Sequence, residues 1–354
     1  MRETRVIIVG AGPIGLELAS VLKRMAVDYL HFDAGQIGQT ISWYPRQARF
    51  FSGPERIAIA GVPLQTPDQA KATREQYLAY LRGVVEQFDL EVQTYQRVKD
   101  IERQGDGFVV RTAKHDQQQI YKAQHVVLAV GDMHRPRRLD IPGEDLPHVS
   151  HYFEEPHRYF RQRLLIVGGG NSAVEAALRC HRTGARVTMS YRGAGFDENA
   201  IKYWLLPEIR SLIRHGQIGF HPCTAPTRIR PDAVTLAPSG RADCDPGFKG
   251  ERDVPADAVL LMTGYEMDPL LFEKAGVELE GPNRSPKVDP GTMQTSVPGL
   301  YVAGTAAAGT QIRFRLFIEN CHPHVTRIVR AVTGEAPPAG SVNEAAKTDA
   351  LPES

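Results

Sequence analysis

The chain has 354 residues, of which 42% are hydrophobic and 23% are charged. Lys and Arg together number 42 and Asp and Glu number 41, which gives a formal net charge of +1. This composition is typical of a globular protein and argues against nucleic-acid binding and intrinsic disorder, while the length predicts two or three domains.

The chain begins with a pattern that predicts a strand, a tight turn and a helix. The apolar run Val6–Val9 leads into G-x-G-x-x-G, with its glycines at Gly10, Gly12 and Gly15, and apolar residues then recur at helical spacing. The run is too short for a signal peptide or a membrane span, so we expect a cytoplasmic protein without membrane contact. In such a turn the glycines allow a pyrophosphate to approach the helix N-terminus.

A second strand, Tyr29–Phe32, completes the first βαβ unit and ends at Asp33. Asp33 lies 18 residues after Gly15, where an acid typically accepts hydrogen bonds from a ribose diol. The first turn therefore predicts a dinucleotide with an unphosphorylated ribose. Residues Ala70–Phe88 follow with an amphipathic helical pattern, and a later strand ends at Gly131.

The strand, turn and helix pattern recurs 158 residues later. LLIVGGGNSAVEAALRC from Leu164 aligns without a gap with VIIVGAGPIGLELASVL from Val6. Where the first copy has its acid, the second has Ser190, Tyr191 and Arg192, and an arginine there can hold a 2′-phosphate. We therefore predict NADPH at this turn, with a solvated loop charge as the alternative for Arg192. The predicted contacts are Gly168, Gly170, Asn171, Ser172, Ala173, Ser190 and Arg192.

The C-terminal part contains one further predicted buried strand, which runs from Thr295 to Gly304. Residues 335–354, EAPPAGSVNEAAKTDALPES, have few large apolar side chains and many Pro, Ala and acidic residues. Such a composition cannot form a packed core, so we predict a disordered tail.

Two different dinucleotide sites in one chain indicate a flavin and a nicotinamide cofactor. The sequence resembles the flavoprotein superfamily that contains thioredoxin reductase and, more closely, the bacillithiol disulfide reductases, a branch without C-x-x-C. The resemblance covers about residues 5–332. It rests on long segments such as GAGPIG, DLPHVSHYF, VGGGNSAVEAAL and MTGYEMDP.

The resemblance implies an α/β fold with two Rossmann-like dinucleotide-binding domains. An NADPH domain (141–265) would be inserted into a FAD domain made of residues 1–140 and 266–334. Members of the family pass a hydride from NADPH to FAD and then electrons to a low-molecular-weight disulfide, and they are typically cytosolic homo-oligomers, which implies a dimer or tetramer here. The implied FAD contacts are Gly10, Gly12, Pro13, Ile14, Gly15, Asp33, Gly131, Gly304 and Thr305.

The sequence departs from this family in the first glycine turn. The family carries a cysteine there, whereas this chain has Ile14, which cannot form a mixed disulfide. Cys321 is the remaining candidate for a redox-active thiol, with a buried packing role as the commoner alternative. The acceptor is therefore open: a low-molecular-weight disulfide, or an electron carrier, quinone or oxygen that needs no protein thiol.

The acceptor's own site is predicted from aromatic and basic residues that follow the first βαβ unit or precede the last helix. They are Trp43, Tyr44, Arg46 and Arg313, which would stack on a ring or attract an anion. Core packing and solvated charge are their alternative roles. The cysteine spacing predicts no metal site, and no catalytic acid or base is assigned. A flavin monooxygenase and a non-catalytic redox sensor remain alternative functions.

Overall fold

The structure, a computed structural model, describes residues 2–198, 201–245, 247, 249–312 and 315–344. The fold is α/β, as predicted, and the chain divides into two compact units. The first unit comprises the residues up to 43, residues 47–135 and the chain from 265 onward; the second comprises residues 44–46 and 136–264. The sequence placed these boundaries after residues 140 and 265. No described helix is long and apolar enough to cross a membrane.

The N-terminal part of the first unit begins with the expected strand, helix and strand. Its strands are β1 (Arg2–Val9), β2 (Tyr29–Phe32), β3 (Val92–Gln93), β4 (Arg97–Gln104), β5 (Gly107–Lys114) and β6 (Gln117–Leu128). Its helices are α1 (Pro13–Arg24), α2 (Gln39–Ser42), α3 (Pro54–Ile57) and α4 (Arg74–Gln87). Helix α4 begins later than predicted because the Thr73 hydroxyl accepts from the Gln76 N–H while the Gln76 side chain accepts from the Thr73 N–H.

The sheet of the first unit brings three turns to one edge. Within the described residues its order is β3-β2-β1-β6-β5-β4, parallel from β3 to β6 and antiparallel from β6 to β4. The carboxyl ends of parallel strands meet at the same sheet edge. Gly10, Asp33 and Gly131, which follow β1, β2 and β6, therefore lie at that edge.

The chain leaves the first unit through β7 (Arg135–Pro136) and enters the second. The second unit's strands are β8 (Val149–Ser150), β9 (Arg163–Val167), β10 (Arg186–Tyr191), β11 (Gly219–Pro222), β12 (Thr224–Ile229), β13 (Ala233–Pro238), β14 (Arg252–Pro255) and β15 (Ala258–Leu261). Its helices are α5 (Asn171–Arg182), α6 (Leu206–Arg214) and a 3₁₀ turn at Pro156–Tyr159.

The second unit repeats the parallel arrangement. Its described strands form a parallel sheet in the order β11-β10-β9-β15-β8 and a separate antiparallel sheet of β12, β13 and β14. Strands β9 and β15 are almost wholly apolar because helices or other strands cover both of their faces.

The chain then returns to the first unit. The returning elements are β16 (Tyr265–Glu266), which pairs with β7, α7 (Leu270–Lys274), β17 (Leu279–Glu280), β18 (Ser285–Pro286), β19 (Leu300–Val302), a 3₁₀ turn (Gly304–Ala308) and α8 (Ile318–Thr333). Strand β19 pairs in parallel with β6, which brings Gly304 to the sheet edge that already holds Gly10 and Gly131.

The segment after α8 corrects one prediction from the sequence. Ser341 is fully buried, and the Asn343 N–H donates to Glu17 while the Asn343 side-chain amide donates to the Ala58 carbonyl. Residues 338–343 therefore pack against α1 and the chain after α3 instead of being disordered. Their polar side chains are held by hydrogen bonds, which a hydrophobicity argument does not detect. Residues 345–354 lie outside the described residues.

Candidate functional site

In the first glycine turn, two of the three glycines, Gly10 and Gly15, lie too close to backbone carbonyl groups to carry a side chain. Gly10 has a φ of +108°, and a Cβ there would overlap the carbonyl oxygen of Ala129. A Cβ on Gly15 would overlap the carbonyl oxygen of Gly10, so the third glycine allows α1 to approach β1. A Cβ on Gly12, in contrast, would meet nothing within 4 Å. The turn is thus closed on the sheet side and open beside Gly12.

The N-terminus of α1 presents its backbone to that open space. Its N-cap is Gly12, no side chain caps it, and Pro13 occupies a first-turn position where a missing N–H has no consequence. Helix α4 in the same unit has a complete side-chain capping box. An uncapped helix N-terminus with space in front of it fits the pyrophosphate of a dinucleotide, because first-turn N–H groups and the helix dipole both favour an anion.

Asp33 ties the end of β2 to the glycine turn. Its carboxylate accepts from the N–H of Ala11 at 2.6 Å and from the N–H of Gly35 at 2.7 Å. Burial raises the pKa of Asp33, and the two N–H groups oppose that rise. Each carboxylate oxygen has a further lone pair, so Asp33 can also accept from a ribose hydroxyl.

A histidine that the sequence analysis missed supports the same turn. His31 is fully buried, and its Nε2 donates to the Gly10 carbonyl at 2.9 Å. Burial lowers the pKa of His31 to about 4, so the ring is neutral at physiological pH. Its place in a parallel strand between β1 and β3, where three consecutive residues are buried, accounts for the inward position.

Gly131 and Gly304, at the ends of β6 and β19, both have positive φ, +75° and +74°. Next to them lies a buried polar cluster that the sequence did not reveal. The carboxylate of Asp132, 8% exposed, accepts from the Gln311 amide at 2.9 Å and from the Thr305 hydroxyl. Burial raises the pKa of Asp132, so this carboxyl is suited to hold a proton.

Ile14 lies against this closing segment. The side chain is buried, and a Cβ on Gly304 would lie 3.6 Å from that of Ile14. The Gly304 N–H donates to Nδ1 of His324, whose pKa burial lowers to about 4. A buried alkyl group thus stands at position 14, and it has neither a proton to give nor a nucleophile.

Cys321 is fully buried in α8. Burial, with the charges of Asp132 and Glu17, raises the pKa of its thiol well above the usual range. A thiol without solvent access that resists ionisation is a poor nucleophile. The structure therefore favours the packing role for Cys321 that the sequence analysis had named as the alternative.

The second glycine turn has the same backbone as the first. Gly168 has a φ of +141°, and a Cβ there would overlap the Met262 carbonyl oxygen. Helix α5 is uncapped at Gly170, beside which a Cβ would meet nothing within 4 Å. The third position differs, since Ala173 is accommodated and buried. This turn also fits a pyrophosphate.

The predicted side chains of the second turn take three different positions. Ser190 is fully buried and hydrogen-bonds to the Thr224 hydroxyl at 2.9 Å. The Asn171 amide oxygen accepts from the Lys202 N–H, whereas Ser172 is exposed. Arg192 is exposed, and within the described part of the chain no carboxylate pairs with its guanidinium. An exposed guanidinium at the end of β10, the strand next to β9, is suited to bind a phosphate monoester.

Three of the acceptor-site candidates lie within residues 43–46, where the boundary between the two units falls. Trp43 belongs to the first unit, and Tyr44 and Arg46 belong to the second. Arg46 is exposed and lies 3.6 Å from Glu155. Arg313 lies outside the described residues.

The chain is similar to known proteins over lengths that include both glycine turns. A family model described as pyridine nucleotide-disulphide oxidoreductase matches residues 7–304. Bacilliredoxin reductase Bdr of Bacillus subtilis (strain 168) is 35% identical over 328 residues, which are 92% of this chain and 96% of that protein. The solved structure of bacillithiol disulfide reductase Bdr (YpdA) from Bacillus cereus is 34% identical with a TM-score of 0.86, covering 94% of this chain and 99% of that one.

A ferredoxin–NADP reductase of Ignicoccus hospitalis is more distant, at 28% identity over 306 residues, 84% of this chain and 88% of that protein. The chain belongs to the pyridine nucleotide-disulphide oxidoreductase family and, within it, to the bacillithiol disulfide reductase group. It is a flavoprotein oxidoreductase, and this membership implies a flavin and a nicotinamide nucleotide as cofactors. The family drawn from the sequence motifs is thereby confirmed.

Proposed function

We propose that this flavoprotein takes a hydride from NADPH onto FAD and delivers the electrons to an acceptor without a covalent thiol step at residue 14. The observation that carries the proposal is the pair of uncapped glycine turns followed by different side chains, Asp33 in one unit and Arg192 in the other. The flavin, when bound, supplies the conversion of a two-electron hydride into electrons for the acceptor.

The first unit is the proposed FAD site. The α1 N-terminus, from Gly12 to Gly15, would bind the pyrophosphate, and Asp33 would accept from the ribose hydroxyls. Gly131 and Gly304 with Thr305 would form the closing side, since both glycines end parallel strands at the same sheet edge. Asp132 would hold the proton that a two-electron acceptor takes up, because burial favours its protonated form.

The second unit is the proposed NADPH site. The α5 N-terminus would bind the pyrophosphate through backbone N–H groups at Asn171, Ser172 and Ala173. Arg192 would bind the 2′-phosphate, which NADH lacks. Ser190 fixes the end of β10 through Thr224 and so holds the backbone from which Arg192 projects.

The acceptor that fits best is a thiol-independent one, such as a quinone or a small electron-carrier protein. Ile14 is buried and cannot form a mixed disulfide, and Cys321 has neither exposure nor a readily ionised thiol. The similarity to a protein named ferredoxin–NADP reductase supports an electron carrier. A low-molecular-weight disulfide is the second candidate, which the similarity to the bacillithiol disulfide reductase of Bacillus cereus favours.

The test uses the purified flavin-loaded protein under anaerobic conditions. Mixing with NADPH should bleach the long-wavelength flavin band much faster than mixing with NADH does. Oxidised ferredoxin or a water-soluble quinone should then restore the band, and an oxidised low-molecular-weight thiol should not. Failure of NADPH to bleach the flavin would refute the reductase. Rapid recovery with the disulfide would refute the thiol-independent acceptor and favour the second candidate. Release and chromatography of the flavin identifies it as FAD.

A further inference from the structure

Two cysteines of the second unit, 21 residues apart in the sequence, are held by the same segment of backbone. Cys223 lies between β11 and β12, and Cys244 lies in the irregular loop between β13 and β14. The two thiols are close enough to interact electrostatically, and the Cys223 thiol also lies near the backbone of Asp245. Neither cysteine belongs to a C-x-x-C pattern, so the sequence spacing did not suggest a pair.

The pair is attached to the segment that carries the proposed 2′-phosphate ligand. The Cys223 N–H donates to the Gly193 carbonyl at 3.0 Å. The Cys244 thiol donates to the Arg192 carbonyl at 3.3 Å. Both cysteines are therefore hydrogen-bonded to the backbone directly after β10, at Gly193 and Arg192 respectively.

We propose that Cys223 and Cys244 are a redox-active dithiol that a low-molecular-weight disulfide oxidises reversibly to an intramolecular disulfide. Geometry supports this role for these two cysteines and for neither Cys180 nor Cys321. The latter two are fully buried in α5 and α8, and no described cysteine thiol is hydrogen-bonded to either.

Exposure sets the order of the exchange. Cys244 is partly exposed while Cys223 is 1% exposed, so the disulfide reaches Cys244 first. Arg241 and Asp243, which form an ion pair at 2.9 Å, precede Cys244 in the same loop. Burial and the neighbouring Cys244 raise the pKa of Cys223 to about 11, so Cys223 reacts second.

The exchange balances without any further reagent. The Cys244 thiolate attacks one sulfur of the low-molecular-weight disulfide, which forms a mixed disulfide and releases one thiolate. Cys223 then loses its proton and attacks the Cys244 sulfur, which forms the Cys223–Cys244 bond and releases the second thiolate. Two protein thiols are oxidised, one small disulfide is reduced to two thiols, and an excess of the small thiol reverses both steps.

Formation of the disulfide should alter the hydrogen bonding of the Arg192 backbone. The disulfide removes the Cys244 S–H that donates to the Arg192 carbonyl and draws the loop after β13 towards Cys223. The Arg192 backbone then loses a support, so binding of the 2′-phosphate should weaken several-fold. This second consequence rests on the proposed NADPH site, while formation of the disulfide does not.

The experiment that tests the dithiol is thiol mapping of the whole flavin-loaded protein. The reduced protein is incubated with an oxidised low-molecular-weight thiol, its free thiols are blocked, and the digest is read by mass spectrometry with and without reduction. We expect a peptide pair that joins Cys223 to Cys244, with Cys180 and Cys321 blocked as free thiols. The absence of that pair, or a preference for another pairing, would overturn the proposal.

Variants separate the dithiol from the cofactor site. The Cys244→Ser protein should form neither a mixed disulfide with the small thiol nor an internal disulfide. The Cys223→Ser protein should instead keep the small thiol bound to Cys244 as a mixed disulfide. Cys180→Ser is the matched control and should oxidise as the unchanged protein does. A mixed disulfide that accumulates on the Cys244→Ser protein would contradict the assigned order of attack.

The nucleotide readout is the dissociation constant of NADPH and of NADH for the oxidised and the reduced protein. Oxidation should weaken the binding of NADPH several-fold and leave the binding of NADH unchanged. In the Cys244→Ser protein, oxidation should change neither dissociation constant. A disulfide that forms and leaves NADPH binding unchanged refutes the coupling to Arg192 but keeps the dithiol. A protein that never binds NADPH refutes the proposed function instead, and the thiol map still decides the dithiol.

Discussion

The two glycine turns have similar backbone conformations but differ in the side chains that follow them. Gly10 and Gly168 both have positive φ and no room for a Cβ beside a carbonyl oxygen, and Gly12 and Gly170 both leave α-helix N-termini uncapped. The chain after the second strand differs completely, with a half-buried Asp33 in one copy and an exposed Arg192 in the other. The shared backbone suits the shared pyrophosphate, and selectivity between nucleotides rests on the residues at the next strand end.

The two copies also differ in the burial of a matching glutamate. Glu17 in α1 is fully buried and hydrogen-bonds to His322, while the matching Glu175 in α5 is partly exposed and lies 3.6–3.7 Å from Lys202 and Arg179. At this matched position the first unit thus has a buried polar pair, whereas the second has ion pairs near the surface. Five predictions test these differences between the two copies.

The largest difference is expected between Glu17→Ala and Glu175→Ala. Removing Glu17 leaves a buried His322 without its partner and also orphans the N–H groups of Ala60 and Asn343, which should cost about 3–5 kcal/mol of the free energy of unfolding. Removing Glu175 breaks ion pairs near the surface and should cost about 0–1 kcal/mol. Urea unfolding measures both, and equal losses would contradict the contrast.

The pH dependence of the buried pair has a definite sign. His322 donates from both ring nitrogens, to Glu17 and to the Arg56 carbonyl. Burial lowers the pKa of His322, but the hydrogen bond and charge of Glu17 raise it more, so the net shift is upward. The stabilisation is therefore fully present below the unfolded value near 6.5 and is lost as the pH rises through the folded pKa. The free energy of unfolding in Glu17→Ala should lack this alkaline loss.

His31→Met should change the acid sensitivity of the first unit. Met189 occupies the matching position in the second copy, so the variant places the residue of one copy in the other. Between pH 6.5 and about 4 the unfolded His31 binds a proton that the folded form does not, so stability falls with falling pH by about 3 kcal/mol. The variant should lose less stability over that range, although it forfeits the bond to Gly10 at neutral pH. An unchanged acid slope would show that His31 is not responsible.

Gly15→Ala and Ala173→Gly exchange the third residue of the two turns. A Cβ on Gly15 overlaps the Gly10 carbonyl oxygen, so the variant should lose about 1–3 kcal/mol and release flavin. Ala173→Gly creates no overlap and should cost about 1 kcal/mol through helix propensity. Flavin content after gel filtration and thermal unfolding report both effects. Full flavin retention in Gly15→Ala would refute the close approach of α1 and β1.

The last prediction concerns nucleotide binding alone and the variant Arg192→Ala. Loss of one charge-assisted contact with the 2′-phosphate should weaken NADPH about tenfold, equivalent to about 1.4 kcal/mol, and leave NADH unchanged. Arg186→Ala, which removes an exposed arginine at the start of β10, the strand that Arg192 follows, is the matched control. Rates of flavin bleaching over a range of nucleotide concentrations give both constants. Equal weakening of NADPH and NADH would remove Arg192 from the 2′-phosphate site.

Local chemistry decided what could be predicted. The apolar runs, the helical spacing and the glycine turns follow from backbone sterics over fewer than about 40 residues, so both βαβ units and the α/β class were readable from the sequence. The start of α4 was missed by four residues because the Thr73 cap outweighed the apolar pattern. The packing of residues 338–343 was missed because Asn343 is held by polar contacts with α1 and the chain after α3.

The sequence by itself determined the two turns, the acid at Asp33, the arginine at position 192 and the absence of a thiol at Ile14. Only the tertiary structure decided which groups are buried and which meet. His322 reaches Glu17 across 305 residues of sequence, and the Cys223 and Cys244 thiols lie side by side on the backbone of residues 192–193. Burial and long-range contact set the pKa and the reactivity of each group, and neither is encoded within the local window that a motif covers.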